Sequence, residues 1–122
     1  MYKLIACDLD ETLLNVDAHV CRRNKEAVKQ LAKLGVKFVP ATGRGFRAIE
    51  KTLEEINLKD KKNEYVISFN GGCITENKNN RIMKFQGLSF AMANELYRLG
   101  LNYDVCIHVY TKDMVYVYNA DQ

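Results

Sequence analysis

The chain contains 122 residues, of which 48% are hydrophobic and 27% charged, and its formal net charge is +3. This length corresponds to about one domain, with room for the start of a second, and the apolar content is sufficient for a packed core. Basic residues cluster only in the short segment 59–62. Such a cluster is typical of a solvated loop, so we expect no nucleic-acid partner.

No apolar run approaches the roughly 18 residues of a membrane-spanning helix. The first residues lead directly into an apolar strand rather than a signal peptide, so we expect no membrane partner. Four cysteines are scattered along the chain without a CxxC pair. This pattern indicates small buried side chains in a reducing compartment and predicts a cytoplasmic location. The cysteines are Cys7, Cys21, Cys73 and Cys106.

An acidic cluster follows the first predicted strand. Residues 4–7 are apolar without alternation, which predicts a strand that is fully buried. Asp8 and Asp10 come directly after it, and a cation between two such carboxylates would relieve their repulsion. Ligands bind at the carboxyl ends of the strands in open parallel sheets. The segment 8–12 therefore predicts a Mg²⁺-assisted phosphoryl-transfer site, although an ordinary acidic turn would also carry these residues.

Helices and strands then alternate, which predicts a parallel sheet with helical crossovers and an α/β fold. Each strand ends in a polar or glycine-rich loop, the strongest architectural signal in the sequence. The predicted elements are a helix from about Asn24 to Gly35, a strand over 36–39 closed by Pro40, a helix over 45–57 and a strand over 65–69.

The pattern changes after Gly72. Segments 73–76 and 82–85 flank an asparagine-rich turn, which predicts a hairpin. Ser89 is placed to cap a helix that would end at Gly100. Its inward residues would be Phe90, Ala93, Leu96 and Tyr97. Two strands should follow, over 105–110 and 114–118. This stretch predicts the beginning of a separate α+β unit.

The loop after the second strand contains Thr42, Gly43 and Arg44. A capping threonine in a strand-to-helix turn is frequent and would explain these residues without a ligand. The same hydroxyl and backbone N–H groups at a helix N-terminus could instead hold a phosphoryl group. The two interpretations are compatible because capping and anion binding use the same end of the helix.

Four motifs together resemble the haloacid dehalogenase-like phosphatases, with the Cof-type subgroup, which carries a large α/β cap, as the best match. The resemblance covers residues 1–122 in order and implies a Rossmann-like parallel sheet followed by an α+β cap. Residues 1–80 would form an incomplete core, and residues 81–122 the beginning of a truncated cap. The motifs are Asp8-Leu9-Asp10-Glu11-Thr12-Leu13-Leu14, Arg23-Asn24-Lys25-Glu26-Ala27, Ala41-Thr42-Gly43-Arg44 and Asn70-Gly71.

The resemblance implies a Mg²⁺-dependent phosphatase of small phosphorylated metabolites. Asp8 would attack phosphorus and become an aspartyl-phosphate, while Asp10 would act as acid and then as base. The Asp8 carboxylate and the Asp10 backbone carbonyl would hold Mg²⁺. The implied phosphate- and substrate-binding residues are Thr12, which would brace the loop, and Thr42, Gly43, Arg44, Asn70 and Gly71.

The sequence departs from the family pattern in two respects. Glu11 stands where many relatives have glycine. The family's phosphate-neutralising lysine and its later Gly-Asp-x-x-Asn-Asp motif are both missing, which predicts the N-terminal portion of a longer protein. A first strand left without its neighbours would expose an apolar edge, so we expect self-association of the chain alone.

Three other functions would account for part of this pattern. A truncated or degenerate module that binds phosphate or a partner without turnover would also lack the lysine and the later acidic motif. A receiver-like phosphoacceptor domain would need an aspartate after the third strand, where this chain has Asn70. A dinucleotide-binding domain is weaker still, because no GxGxxG follows the first strand.

Overall fold

The computed structural model describes residues 2–120, which divide into two compact units, one up to Gln86 and one from Gly87. The strands of the first unit are β1 (Leu4–Asp8), β2 (Lys37–Ala41), β3 (Tyr65–Ser68), β4 (Cys73–Glu76) and β5 (Arg81–Phe85). Its helices are α1 (Arg22–Lys33) and α2 (Glu50–Glu55). The second unit contains α3 (Phe90–Gly100), β6 (Ile107–Tyr110) and β7 (Val115–Tyr118).

The first unit is built on a five-stranded sheet in the order β1-β2-β3-β4-β5. β1, β2 and β3 run parallel, whereas β4 and β5 return as an antiparallel hairpin. Asp8 lies beside Ala41, and Ala41 lies beside Ile67. The predicted α/β fold with a parallel sheet is therefore confirmed, and the loops after its three parallel strands leave the same edge.

Apolar side chains from the helices and the sheet form one core in this unit. Val28 is the buried residue of α1, Leu53 lies on α2, and Phe38 and Val66 come from the sheet. Leu9 from the acidic segment belongs to the same core and is fully buried. The segment that carries the carboxylates is thus anchored in the core by its own apolar residues.

The prediction that β1 is fully buried is wrong for this chain. Leu4 and Ile5 are exposed, and only Cys7 is partly buried against the core. The reason is the position of β1 at the end of the sheet, where β2 is its single partner among the described strands. The apolar composition predicts the strand correctly but does not by itself supply the neighbours that would bury it.

Two element boundaries also differ from the predictions. Pro40 does not close β2, since the strand runs to Ala41 and Pro40 pairs with Cys7 of β1. The helix predicted over 45–57 is a 3₁₀ turn over Phe46–Ile49 followed by the short α2. Ile49, at the junction, is fully buried, so the predicted apolar face is confirmed, whereas the predicted helix type is wrong.

In the second unit, Ser89 caps α3 by accepting a hydrogen bond from the Met92 N–H at 3.3 Å, as predicted. β6 and β7 form an antiparallel hairpin. Of the four residues predicted to face inward, Ala93 and Tyr97 are half-buried, whereas Phe90 and Leu96 are 85% and 56% exposed, so the prediction is wrong for those two. No helix in residues 2–120 is long and apolar enough to cross a membrane.

The two units meet in sequence after Gln86, six residues later than the boundary predicted at residue 80. β5 lies in the interval between the two positions and pairs with β4 of the large sheet. Of the cysteines predicted to be buried, Cys73 is fully buried and Cys7 is partly so, whereas Cys21 and Cys106 are exposed. All four are free thiols.

Candidate active site

The acidic segment forms a wide turn over Leu9–Leu13 that directly follows β1. The Leu14 N–H closes it by donating to the Leu9 carbonyl at 2.8 Å. Leu9 and Leu13 point into the core, while Asp8 and Asp10 remain exposed. The alternation of apolar and polar residues thus keeps both carboxylates at the surface of an anchored loop.

Within this turn, the Thr12 hydroxyl donates a 3.3 Å hydrogen bond to Oδ2 of Asp8. Thr12 therefore braces one oxygen of that carboxylate. Glu11 has a φ of 58°, in the left-handed region that glycine adopts at the least cost. Glu11 thus occupies a backbone conformation in which glycine would be less strained.

The second loop follows β2 and is fixed to the third strand. The Thr42 N–H donates to the Ile67 carbonyl at 2.9 Å, and the Thr42 side chain is buried. Its hydroxyl accepts the Arg44 N–H at 3.1 Å. A hydroxyl that accepts one bond still has its own proton to donate, so Thr42 can offer that proton to an anion.

Arg44 joins the two loops. Its Nε donates to Oδ2 of Asp10 at 3.0 Å, and its Nη2 pairs with Oδ1 of the same carboxylate. Two parallel N–H···O contacts of this kind give a charge-assisted pair with a defined orientation. Both side chains are substantially exposed, so water screens the pair and its contribution to stability is small. It brings together two motifs that are 34 residues apart in the sequence.

The third loop is a tight turn over Phe69–Gly71, at the end of β3. The Asn70 N–H donates to the Thr42 carbonyl at 3.1 Å, which places Asn70 against the second loop. A Cβ atom added at Gly43 would lie 2.9 Å from Oδ1 of Asn70, so any larger residue there would require the Asn70 carboxamide to shift. Gly71 has a φ of 91° and nothing within 4 Å of an added Cβ, so its backbone rather than close packing favours glycine.

The oxygen donors of the acidic turn fit Mg²⁺ in kind. Carboxylate and carbonyl oxygens are its preferred protein ligands, and sites with one or two carboxylates plus substrate phosphate are common. Asp8 and Asp10 supply such donors. Among residues 2–120 no group of three or more His, Cys, Asp or Glu side chains could hold a metal ion.

Cys7 adjoins the acidic turn but is not suited to act as a nucleophile. Its thiol donates to the Asp8 carbonyl at 3.2 Å. Burial first, and then the Asp8 charge, raise the pKa of the Cys7 thiol. The thiol therefore stays protonated at neutral pH, which leaves the carboxylates as the nucleophilic groups of this loop.

Sequence reasoning missed Glu55, which ties the segment after the acidic turn to α2. Its carboxylate accepts the Val20 N–H at 3.2 Å, lies 2.8 Å from Nδ1 of His19 and pairs with Lys25 at 2.7 Å. The Lys25 ammonium, with the other two donors, lowers the pKa of Glu55 to about 2. The acidic residue on α2 carries no local signal for these contacts, because its partners lie 30 or more positions earlier.

Comparisons with known proteins identify the family to which the chain belongs. The family model described as haloacid dehalogenase-like hydrolase matches residues 5–122. "Putative phosphatase YxeH" of Bacillus subtilis (strain 168) is 33% identical over 121 residues, which are 99% of this chain and 44% of that protein. The 5-amino-6-(5-phospho-D-ribitylamino)uracil phosphatase YwtE of the same organism is 30% identical over 114 residues, 91% of this chain and 36% of that protein.

The crystal structure of a haloacid dehalogenase-like hydrolase from Bacteroides thetaiotaomicron superposes with a TM-score of 0.81 at 27% identity, covering 98% of this chain and 45% of that one. The chain thus spans less than half the length of these relatives. Over nearly its whole length, the chain matches these proteins in sequence and in fold. The chain belongs to the haloacid dehalogenase-like hydrolases.

Proposed function

We propose that this chain supplies the nucleophile and the phosphoryl-binding loop of a phosphatase that acts on small phosphorylated metabolites. The observation that carries the proposal is the Arg44–Asp10 pair, which joins the acidic turn to the Thr42–Arg44 loop at one edge of the sheet. A nucleophilic carboxylate and anion-binding donors at one edge are what phosphoryl transfer requires. The names of relatives as phosphatases support the same reaction.

In the proposed reaction, an Asp8 carboxylate oxygen attacks phosphorus and the bond from phosphorus to the ester oxygen breaks. Asp10 gives its proton to the departing oxygen, so the alcohol leaves neutral. Asp10 then takes a proton from water, whose oxygen attacks the aspartyl-phosphate and releases inorganic phosphate and Asp8. The Thr12 contact with Oδ2 supports the assignment, because it orients the carboxylate and leaves Oδ1 for the attack.

The binding roles follow from the donors that each loop offers. Thr42 offers its hydroxyl proton, Gly43 its N–H, and Arg44 a guanidinium that can exchange Asp10 for a phosphoryl oxygen. Asn70 and Gly71 would line the substrate end. Mg²⁺, held by the Asp8 carboxylate and the Asp10 backbone carbonyl, would neutralise charge on the transferred group.

The test is phosphate release from p-nitrophenyl phosphate, with and without Mg²⁺, by the protein expressed from its complete native reading frame. Asp8→Asn should lower kcat by at least about a thousandfold, since it removes the nucleophile. Asp17→Asn is the matched control: it removes one exposed charge from the segment after the turn and should leave kcat within about twofold. Equal activity of the Asp8 variant and the parent would refute the mechanism.

The Arg44 contact also favours a second candidate, a module that binds phosphate without turnover. In the described conformation both Asp10 oxygens contact the guanidinium, so neither is free to meet the leaving oxygen of a substrate. This candidate predicts that inorganic phosphate binds and that no phosphate ester is hydrolysed. The p-nitrophenyl phosphate assay separates the two candidate functions.

A cytoplasmic location and association with a second copy through β1 remain predictions of the sequence.

A further inference from the structure

Three consecutive residues at the end of β3 have left-handed backbone. The φ angles of Phe69, Asn70 and Gly71 are 51°, 53° and 91°. Asparagine and glycine adopt this region readily, whereas for a bulky aromatic residue it is an outlier. Such a conformation persists only where the surrounding structure holds it, and it is concentrated at functional sites. Unlike Asn70 and Gly71, Phe69 does not favour this conformation by itself, so its surroundings must hold it there.

Its backbone is bonded to the loop that contains Thr42 and Arg44. The Phe69 N–H donates to the Arg44 carbonyl at 3.1 Å, and the next N–H, of Asn70, donates to the Thr42 carbonyl at 3.1 Å. The left-handed turn thus presents two successive donors to two carbonyls that flank Gly43. In an extended backbone successive N–H groups point to opposite sides, so the two donors could not both meet that loop.

Its ring occupies the space beside Gly45. A Cβ atom added at Gly45 would lie 2.9 Å from Cζ and 3.0 Å from Cε1 of Phe69, closer than Cβ atoms come to ring carbons. The ring also meets Phe46 edge-on, with 6.2 Å between centroids and an interplanar angle of 89°. Phe46 is buried, so the ring is held from behind while its tip rests on the glycine.

The two glycines of the loop are therefore each matched to one residue of the turn. Gly43 meets the Asn70 side chain and Gly45 meets the Phe69 ring, both at 2.9 Å from an added Cβ. Asn70 and Gly43 already belong to the proposed site, whereas nothing so far accounts for Phe69 and Gly45. We propose that Phe69 is a positioning residue, whose ring, seated on Gly45, fixes the phosphoryl-binding segment 42–45. This inference rests on the proposed function of that segment.

The test is a double-mutant cycle on Gly45 and Phe69, measured as kcat/KM for p-nitrophenyl phosphate with the protein from the complete reading frame. Gly45→Ala should lower kcat/KM at least tenfold, because its methyl collides with the ring and displaces the segment. In a Phe69→Ala background the space beside residue 45 is vacant, so adding Gly45→Ala should lower kcat/KM by less than about threefold. Additive losses in the double variant would overturn the proposal.

A second pair of variants tests the contact at the ring tip. Phe69→Tyr adds an oxygen to Cζ, the atom nearest Gly45, and should lower kcat/KM as strongly as Gly45→Ala. Phe69→Leu retains an apolar side chain without the added oxygen and should retain more activity than Phe69→Tyr. Leu53→Ala is the control for lost packing. Assayed below its melting temperature, Leu53→Ala should leave KM and kcat within about twofold of the parent values. A Phe69→Tyr variant whose KM and kcat also stay within twofold would contradict the proposal.

Amide hydrogen exchange separates failure of this inference from failure of the proposed function, because it needs no turnover. Relative to the strand amides of β3 and β4, the Phe69 and Asn70 amides should exchange at least tenfold faster in Phe69→Ala and in Gly45→Ala. Absence of phosphatase activity together with this increase would refute the proposed function alone. Unchanged exchange in both variants would overturn the positioning role, whatever the activity.

Discussion

Leu53 on α2 and Leu96 on α3 are both leucines of amphipathic helices, but the first is 2% exposed and the second 56%. The first unit encloses its apolar residues between helices and one face of a five-stranded sheet. The second unit has one helix and a two-stranded hairpin, and no residue in 87–120 is fully buried. Two strands and one helix do not provide enough surface to enclose a core.

Apolar patterning and burial are therefore separate properties of a segment. Patterning is local and is written into each helix, whereas burial depends on how many other elements surround it. β1 makes the same point inside the first unit, since its apolar residues are exposed where no further strand flanks it. Four measurements test this difference between patterning and burial.

Ile49→Ala should give the largest effect. Ile49 is fully buried at the junction of the 3₁₀ turn and α2. Removing its outer carbons loses the transfer free energy of those atoms and leaves a cavity, so the free energy of unfolding should fall by about 2–5 kcal/mol. Urea unfolding followed by circular dichroism measures the change. A loss below about 1 kcal/mol would mean that the first unit is packed as loosely as the second.

Glu55→Gln should lower the free energy of unfolding by about 1–3 kcal/mol. Lys25 loses its charged partner, and the new amide is a weaker acceptor for the Val20 N–H. The pKa of Glu55 is lowered to about 2 from 4.5. A depressed carboxyl pKa stabilises the fold above the ordinary value, and this contribution is lost as pH falls from about 4.5 towards 2.

Comparing the pH dependence of the melting temperature checks this assignment. The parent should lose stability between pH 4.5 and 2 more steeply than Glu55→Gln. Glu26→Gln is the control, because Glu26 is exposed and its ion pair with Lys29 is long, at 3.7 Å. The assignment fails when Glu55→Gln and Glu26→Gln give parallel profiles through this range.

Much of the fold could be predicted from the sequence because its signals are local. Acidic and glycine-rich loops at strand ends, the asparagine turn of the β4–β5 hairpin and the cap at Ser89 all depend on neighbouring residues. The contacts of Arg44 with Asp10 and of Glu55 with His19 could not be predicted, since each joins residues more than 30 positions apart. The left-handed φ of Phe69 also escapes local reasoning, because packing rather than propensity sustains it.

The exposed edge of β1 predicts association with a second copy of the chain. Leu4 is 53% exposed on a strand with one partner among those described, and an apolar open edge is a template for pairing. Leu4→Lys should weaken association about tenfold, roughly 1.4 kcal/mol, as sedimentation would measure. Val16→Lys changes an exposed residue away from the sheet and should have no such effect. A well-folded parent monomer at micromolar concentration would contradict the prediction.

Leu96→Ala should have the smallest effect, because the side chain that it truncates already lies largely in solvent. Its cost should stay within about 0.5 kcal/mol, as for surface substitutions in general. The same chemical change at Leu53 should cost about 2–5 kcal/mol, so the pair isolates the surroundings from the residue type. Urea unfolding of both variants gives the ratio directly. A large loss for Leu96→Ala would mean that this face of α3 is covered in solution, and the contrast between the two units would then belong to the isolated chain alone.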